Sequence, residues 1–281
     1  MENQSNKKTW FVTGASKGFG LEFVKQLLAQ GNYVAATSRN KADLVKAAGQ
    51  HDNFLPLEMD ITNEESVAGA ISRTLTKFGR LDVVVNNAGY GLFGSVEELS
   101  DAELRQNFEV NVFGSLNVIR QALPHLRAQM SGHIINISSI GGIVGNFPGF
   151  GIYCATKFAV NGFTEALAVE AKPFGINTTI VMPGYFRTNF LDTGSIALPK
   201  NPIEAYKSAR ESQELHQNTI NGNQTGDPVK GVAAIIKAAN EPQPPLYLLL
   251  GSDAVGMAEA KIATYEKEVN AWRSLSISTD Y

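Results

Sequence analysis

The chain has 281 residues, of which 43% are hydrophobic and 18% charged, and its formal net charge is −3. This composition is ordinary for a folded globular protein, and the length suits one large α/β domain. The balanced charge excludes the strongly basic surface needed to bind phosphodiester backbones, so we expect no nucleic-acid partner. A single cysteine, Cys154, excludes an intramolecular disulfide framework and favours a reducing compartment.

The beginning of the chain and its apolar runs argue against export and membrane insertion. Residues 1–8 are polar and lack the apolar core of a secretory signal. The longest apolar runs, such as residues 83–85 and 248–250, are far shorter than a membrane span. The histidines lack the spacing of a zinc site, so we expect no metal. These features predict a cytoplasmic protein without a membrane partner.

Short β-branched and apolar runs alternate with helical patterns along the chain. Most runs are apolar on both sides of the strand period, which is typical of strands buried on both faces of a parallel sheet. The predicted strands are residues 9–13, 33–38, 54–59, 81–86, 133–138, 178–182 and 246–250. The predicted helices are residues 20–30, 101–130, 155–172, 228–240 and 253–272. This order predicts a doubly wound α/β fold, with about seven parallel strands and helices on both faces.

Two segments lie outside this regular alternation. Residues 189–227 are polar, contain a weakly helical stretch at 202–216 and are too long for a plain connection. We expect a substrate lid there, and the alternative is a surface insertion without function. The helix at residues 253–272 would be a C-terminal extension. Since no linker is visible, the chain is predicted to be a single domain over residues 1–281.

A glycine-rich turn, T-G-A-S-K-G-F-G, follows the first predicted strand and precedes a helix. Gly14 would permit the sharp turn, Gly18 the approach of a pyrophosphate, and Gly20 close packing of the helix on the sheet. The free N–H groups at the start of the helix would bind phosphates. At this position the motif predicts a dinucleotide site.

The end of the second strand bears on which nicotinamide cofactor is bound. A site for NAD would carry an acidic residue there, to hold the ribose hydroxyls. This chain has Arg39 instead, with Lys17 in the glycine-rich turn nearby. Two cations facing the 2′-phosphate would favour NADP(H) over NAD(H), which is our prediction. The alternative is that both are solvated surface charges.

The sequence resembles the short-chain dehydrogenase/reductase superfamily, in its single-domain branch, over nearly the whole chain. The landmarks that carry the resemblance are the glycine-rich turn, Asp60, Asn86–Gly89, Asn111, Ser138-Ser139, Tyr153 with Lys157, and Pro183-Gly184 with Thr188. Phe19 stands where the family usually has a branched aliphatic residue. The resemblance implies the following cofactor-binding residues: Gly14, Ser16, Lys17, Gly18, Phe19, Gly20, Arg39, Asp60, Ile61, Asn87, Ala88, Gly89, Tyr153, Lys157, Pro183, Gly184, Phe186 and Thr188.

The resemblance also implies a catalytic tetrad of Asn111, Ser139, Tyr153 and Lys157. Tyr153 would exchange a proton with the substrate oxygen, and Lys157, one helical turn later, would lower the pKa of the phenol and hold the cofactor ribose. Ser139 would orient the carbonyl. Asn111 would hold a relay water, or alternatively only fill a helix kink. Because Ser139 and Tyr153 are one residue further apart than expected for the family, Ser138 stays open as the alternative serine.

Aromatic residues in loops at the expected active-site edge predict an apolar substrate pocket. These residues are Phe93, Phe147, Phe150, Tyr185 and Phe190. The predicted function is an NADP(H)-dependent carbonyl reductase or alcohol dehydrogenase for a bulky apolar substrate. The alternative is a protein that senses NADP(H) without catalysis. Helices 101–130 and 155–172 resemble those that form a dimer interface in this family, so a homodimer is expected.

Overall fold

The computed structural model describes residues 7–192 and 194–281, so Thr193 of the predicted lid and residues 1–6 of the predicted domain lie outside the described residues. The strands in the described part are β1 Thr9–Val12, β2 Tyr33–Ser38, β3 Phe54–Glu58, β4 Val83–Asn86, β5 Gly91–Leu92, β6 Gly132–Ile137, β7 Ile176–Pro183, β8 Ile196–Ala197 and β9 Tyr247–Leu250. The α-helices there are α1 Gly18–Ala29, α2 Lys41–Ala48, α3 Glu64–Phe78, α4 Asp101–Phe108, α5 Gly114–Gln129, α6 Gly151–Ala171, α7 Lys207–Glu214, α8 Pro228–Ala239 and α9 Ser252–Ile277.

Seven strands form one parallel sheet in the order β3-β2-β1-β4-β6-β7-β9. These are the seven strands predicted from the sequence, and the predicted doubly wound fold is confirmed. Apolar side chains of α1, α2 and α8 pack on one face of the sheet, and those of α3, α5 and α6 pack on the other. The strand order reverses between β1 and β4, which opens a crevice at the carboxyl ends of these two strands.

The predicted helix at residues 101–130 is two helices separated by a π-helical turn, Glu109–Phe113. The Asn111 side chain turns inward there and bonds both backbone groups of Tyr90, at 3.0 Å each. This contact joins residues distant in sequence, so helical periodicity alone does not reveal it. Helix α6 begins at Gly151, four residues before the predicted start, and therefore contains both Tyr153 and Lys157.

The predicted lid, residues 189–227, is attached to the loop that follows β4. Within it, β8 pairs with β5 to form a separate two-stranded parallel sheet. Arg210 of α7 forms a 2.7 Å ion pair with the fully buried carboxylate of Glu98. A second π-helical turn, Leu215–Ile220, follows α7. These contacts place the segment over the carboxyl edge of the large sheet.

Helix α9 continues to Ile277, beyond the predicted end at residue 272. Only its first turns contact the domain, through the buried side chains of Ala254 and Ala258. Every residue from Ile262 to the end of the chain is exposed. None of the helices in residues 7–192 and 194–281 combines the length and apolar character needed to cross a lipid bilayer.

Candidate active site

The glycine-rich turn brings the ends of β1 and β4 together. Gly14 has a φ of +65°, and a methyl group on it would lie 2.8 Å from the Cα atom of Ala88. A methyl group on Gly20 would overlap the Gly14 carbonyl oxygen, so only glycine lets α1 start this close to the turn. The Asn87 amide donates to the carbonyl oxygens of Thr13 and Gly14, at 2.9 and 3.0 Å.

An elongated cavity of about 990 Å³ follows the carboxyl edge of the sheet. All of the predicted cofactor-binding residues line it except Gly20, which packs beneath the turn. Arg39 and Asp60 line this cavity, and so do Tyr153 and Lys157. The cavity is large enough for a dinucleotide together with a small substrate. The backbone of the glycine-rich turn forms part of its wall, where it could bind phosphates.

The two predicted phosphate-binding cations differ in their surroundings. Arg39 is exposed at the end of β2, between Ser38 and Asn40, so no carboxylate stands at this position. The Lys17 ammonium donates to the Ser195 hydroxyl at 2.5 Å, beside β8. Lys17 is therefore engaged with the segment predicted to be the lid, an interaction that the sequence did not indicate.

Tyr153 and Lys157 lie one turn apart on α6, and both side chains are buried. The Lys157 ammonium donates to the Ile137 carbonyl oxygen at 2.8 Å and lies 5.8 Å from the centre of the Tyr153 ring. Burial lowers the pKa of Lys157 to about 8. Burial also raises the pKa of Tyr153, and a hydrogen bond with Ser139 only partly opposes this increase. In the protein alone, desolvation thus outweighs the lowering of the phenol pKa expected from the sequence.

The two candidate serines point in different directions. The Ser139 hydroxyl is half-buried, accepts a hydrogen bond from the Gly141 N–H at 3.0 Å and faces Tyr153. The buried Ser138 hydroxyl donates instead to the backbone carbonyl of Lys157, at 3.3 Å. Of the two hydroxyls, the one on Ser139 is placed beside the phenol.

Asn111 does not line the cavity, and its side chain is fully engaged within the protein. Besides its two bonds to Tyr90, its amide donates to the Thr156 hydroxyl at 3.1 Å. A methyl group on Gly89 would lie 3.1 Å from Asn111 Oδ1 and 3.8 Å from Lys157 Nζ. Asn111 therefore lies close to the lysine, across Gly89, while it supports the π-helical turn.

Aromatic rings surround the Tyr153 hydroxyl end of the cavity. Phe150 lies 6.3 Å and Phe190 5.6 Å from the Tyr153 ring, between centroids. Phe147, Phe150, Tyr185 and Phe190 line the cavity as predicted. Phe93 differs from the prediction: it packs edge-on behind Phe150, at 5.0 Å, and does not reach the cavity.

Two polar residues of this pocket, His216 and Gln224, were not identified from the sequence. His216 Nδ1 donates to the Ser212 carbonyl at 2.7 Å, so Nε2 accepts from the Tyr185 hydroxyl at 2.9 Å. Burial lowers the pKa of His216, which favours the neutral ring. The Gln224 side chain is 3% exposed, and its amide has no hydrogen-bond partner among the described residues. The only sequence signal for either was their place in the predicted lid.

Cys154 lies beside this arrangement in an unreactive form. Cys154 is buried next to Tyr153, and burial raises its pKa to about 11, so the reactive thiolate is disfavoured. Within the described ranges, no three His, Cys, Asp or Glu side chains cluster as a metal site would require. The polar groups at this end of the cavity are the phenol, the ammonium and the serine hydroxyl, with the His216–Tyr185 pair and the Gln224 amide as further polar groups of the pocket.

The parallel sheet, the glycine-rich turn and the Ser139–Tyr153–Lys157 cluster are the features on which the sequence resembles the short-chain dehydrogenase/reductases. A model of the short chain dehydrogenase family matches residues 8–195. The chain belongs to this family, the short-chain dehydrogenase/reductases, as the sequence predicted.

Curated relatives are similar to this chain over most of its length. Oxidoreductase BOA17 of Botryotinia fuckeliana is 35% identical over 97% of this chain and 99% of its own. A 3-ketodihydrosphingosine reductase of Bacteroides thetaiotaomicron is 37% identical over 85% of this chain and 86% of its own. These matches agree with an oxidoreductase that spans the whole domain.

Solved structures show the same fold, and some of them contain a nicotinamide cofactor. A short-chain dehydrogenase from Streptomyces avermitilis has a TM-score of 0.90 and 37% identity, covering 98% of this chain and all of the other. ElxO with NADP bound has a TM-score of 0.73 and 28% identity, covering 89% and 99%. A 3-ketoacyl-(acyl-carrier-protein) reductase from Brucella melitensis, complexed with NADH, has a TM-score of 0.71 and 26% identity, covering 86% and 95%.

Proposed function

We propose that the protein is an NADP(H)-dependent carbonyl reductase that interconverts a bulky apolar ketone or aldehyde and its alcohol. The observation that carries the proposal is the convergence of Ser139, Tyr153 and Lys157 in one cavity that also contains the glycine-rich turn. A phenol, a serine hydroxyl and a buried ammonium are the groups needed to protonate and orient a carbonyl oxygen.

The bound nicotinamide would supply or accept the hydride. Tyr153 would donate its proton to the carbonyl oxygen, while Ser139 donates a hydrogen bond to the same atom. Because burial opposes the phenolate that is left, a nearby positive charge is required, and the Lys157 ammonium is the buried cation beside it. Because the Asn111 side chain is engaged with Tyr90 and Thr156, its main-chain carbonyl, which accepts one bond from Ser115, would accept a second from the water through which this proton is replaced. The π-helical turn at Glu109–Phe113 supports this proposal, because it sets the carbonyl of Asn111 apart from the regular helical bonding.

The residues that line the cavity fit a dinucleotide phosphate. The N–H groups near Gly14, Ser16 and Gly18 would bind the pyrophosphate. Asp60 and Ile61 would meet the adenine, residues 87–89 would lie beneath the adenosine ribose, and residues 183–188 would hold the nicotinamide. Arg39 would bind the 2′-phosphate, because no carboxylate stands at the end of β2 to repel it. The preference rests on Arg39, since ElxO was solved with NADP and the Brucella melitensis reductase with NADH.

The substrate pocket is apolar, with few polar groups besides the proton donor. Phe147, Phe150 and Phe190 would pack against the body of the substrate. The Tyr185 hydroxyl already donates to His216, so its oxygen is left to accept a hydrogen bond from a substrate hydroxyl. Phe147, Phe150, Phe190 and Tyr185 carry no positive charge that could bind a substrate carboxylate. A relative named for a ketone substrate, the 3-ketodihydrosphingosine reductase, agrees with this substrate class.

Three further parts of the proposal concern the lid, the assembly and the compartment. Residues 189–227 would close over the substrate. The exposed apolar side chains of Phe113, Phe158 and Val169, on or beside α5 and α6, support a homodimer through these helices. The single cysteine, which is buried, suits the cytoplasm.

The test is consumption of NADPH by the purified protein with a panel of aryl, steroid and aliphatic ketones. NADH is assayed in parallel, as are the Tyr153→Phe variant and Tyr247→Phe, a control at an exposed tyrosine on β9. We expect turnover with NADPH that is lost in Tyr153→Phe and kept in the control. Tight NADPH binding without turnover on any ketone would favour the alternative, a sensor of NADP(H). Turnover that survives in Tyr153→Phe would contradict the assigned proton donor.

A further inference from the structure

The C-terminal helix α9 carries a continuous apolar stripe after it leaves the domain. Ile262, Tyr265, Val269 and Trp272 are 64%, 57%, 56% and 59% exposed. The exposed part, residues 262–277, is about 24 Å long at the rise of an α-helix. Large apolar side chains in such a row usually mark an interaction surface.

The spacing of these four residues is that of a coiled-coil seam. They follow one another at intervals of three, four and three, which is the heptad pattern with Ile262 and Val269 at position a and Tyr265 and Trp272 at position d. An average period of 3.5 keeps this stripe facing a second helix along its whole length. Two-stranded parallel coiled coils favour β-branched residues at position a, as here, with leucine at position d, where this chain has the aromatic side chains of Tyr265 and Trp272 instead.

The charges beside the seam select both the partner and its direction. In this frame Lys261 and Glu268 occupy position g, and Glu266 and Arg273 occupy position e. In a parallel pair of identical helices, each g residue meets the e residue of the partner's next heptad. Lys261 would then meet Glu266, and Glu268 would meet Arg273, so both contacts join opposite charges.

An antiparallel pair would oppose like charges. If the same four apolar residues formed the layers, Glu266 would face its own copy, and so would Glu268. A membrane surface is also a poor partner, because the exposed helix balances Glu266 and Glu268 against Lys267 and Arg273. Helices that bind anionic lipid have a basic polar face instead.

We propose that α9 pairs in parallel with α9 of a second copy of this chain, around a two-fold axis along the seam defined by Ile262, Tyr265, Val269 and Trp272. A free helix of this length would be marginal. Here α9 is anchored on the domain through Ala254 and Ala258, so pairing does not have to nucleate it. The contact is isologous, as a two-fold dimer requires. It is separate from the surface on α5 and α6 and does not depend on the enzymatic reaction.

Cysteine cross-linking tests the contact in the full-length protein. The native Cys154 is buried, and its raised pKa keeps it unreactive. Ile262→Cys would place two thiols in the same layer of a parallel pair, within disulfide distance. Lys267→Cys, on the opposite side of the helix, is the matched control. Under mild oxidation we expect a covalent dimer with Ile262→Cys and none with Lys267→Cys.

The remaining outcomes of this experiment are equally decisive. No covalent dimer with Ile262→Cys, or the same yield with Lys267→Cys, would overturn the seam. Cross-linking of Ile262→Cys only when it is mixed with Trp272→Cys would show an antiparallel pair and overturn the parallel one. Because the readout is a covalent bond at α9, a dimer formed only through α5 and α6 would give no signal.

A charge exchange tests the pairing independently. Lys261→Glu would place a second carboxylate near Glu266 of the other helix, and we expect the dissociation constant of the α9 contact to rise about tenfold. Adding Glu266→Lys to the same chain would restore opposite charges and return the constant close to that of the wild type. Sedimentation equilibrium measures both. An effect of Lys261→Glu that the second substitution does not reverse would overturn the assigned charge pairs. Binding of the wild type to anionic vesicles, with no self-association, would overturn the proposal itself.

Discussion

Replacing Lys157 with methionine is expected to stabilise the protein while it abolishes turnover. The pKa of an ordinary lysine is 10.5 and that of the buried Lys157 is about 8. At about 1.4 kcal/mol per pKa unit, the folded state disfavours the charged ammonium by about 3 kcal/mol. Loss of the hydrogen bond to the Ile137 carbonyl offsets about 1 kcal/mol of the gain. Lys157→Met should therefore raise the free energy of unfolding by about 2 kcal/mol at pH 7.

The stability difference between Lys157→Met and the wild type should depend on pH. Since the pKa of Lys157 is lowered on folding, the destabilisation is complete below pH 8 and disappears as the pH rises towards 10.5. The advantage of Lys157→Met over the wild type should thus shrink from pH 7 to pH 10. Chemical unfolding in urea, without added nucleotide, measures the difference at each pH. Measurements at pH 7 and pH 10 suffice, because all other titrating groups are common to the two proteins and their effects cancel in the difference.

The control is Lys25→Met, at an exposed lysine on α1. Its effect on the free energy of unfolding should stay within about 0.5 kcal/mol at both pH values. If Lys157→Met is less stable than the wild type at pH 7, or if its advantage is the same at pH 7 and pH 10, the reasoning from burial is refuted.

Three further predictions concern the cofactor, the serine and the lid. Arg39→Ser should raise the KM for NADPH by about 10- to 100-fold and leave the KM for NADH nearly unchanged, because a charged contact to the 2′-phosphate is lost; steady-state kinetics with both cofactors measures this, and an equal rise for both would contradict it. Ser139→Ala should lower kcat at least about 100-fold, whereas Ser138→Ala should change it only a few-fold, and the reverse order would transfer the role to Ser138. Glu98→Gln leaves Arg210 without its ion-pair partner and should loosen the predicted lid. We expect a higher KM for the ketone at an unchanged KM for NADPH, and faster proteolysis within residues 189–227; a variant with wild-type values would mean that the segment does not cover the substrate.

The seven strands of the large sheet were predictable because they read as short apolar runs, although only the five inner strands are largely buried and the edge strands β3 and β9 are partly exposed. β5 and β8 were not, since each has only two residues and their pairing depends on the contact between distant loops. The break between α4 and α5 likewise depends on the bonds from Asn111 to Tyr90. Periodicity describes a helix and its own faces, but it does not describe bonds between segments distant in sequence.

The candidate site divides in the same way. Gly14, Ser139, Tyr153 and Lys157 could be located because each stands at a fixed place relative to the end of a strand or the start of a helix. His216 could not, because its place in the pocket depends on how the segment after β7 folds back over the sheet. The expected lowering of the Tyr153 pKa is also not seen in the protein alone. The sequence shows that Tyr153 and Lys157 are one helical turn apart, but it does not show that both side chains are buried.

The loss of solvent around Tyr153 and Lys157 sets the protonation states of the two groups in the protein alone. Burial stabilises the neutral form of both groups, so it raises the pKa of Tyr153 and lowers that of Lys157. At neutral pH the phenol is therefore protonated and ready to donate, and Lys157 is still largely cationic, able to stabilise the phenolate that follows. Oxidation of an alcohol starts from the opposite state, a phenolate that burial disfavours. We therefore expect reduction of a ketone to proceed from the protonated phenol near pH 7 and the rate of alcohol oxidation to rise with pH, as the phenolate forms.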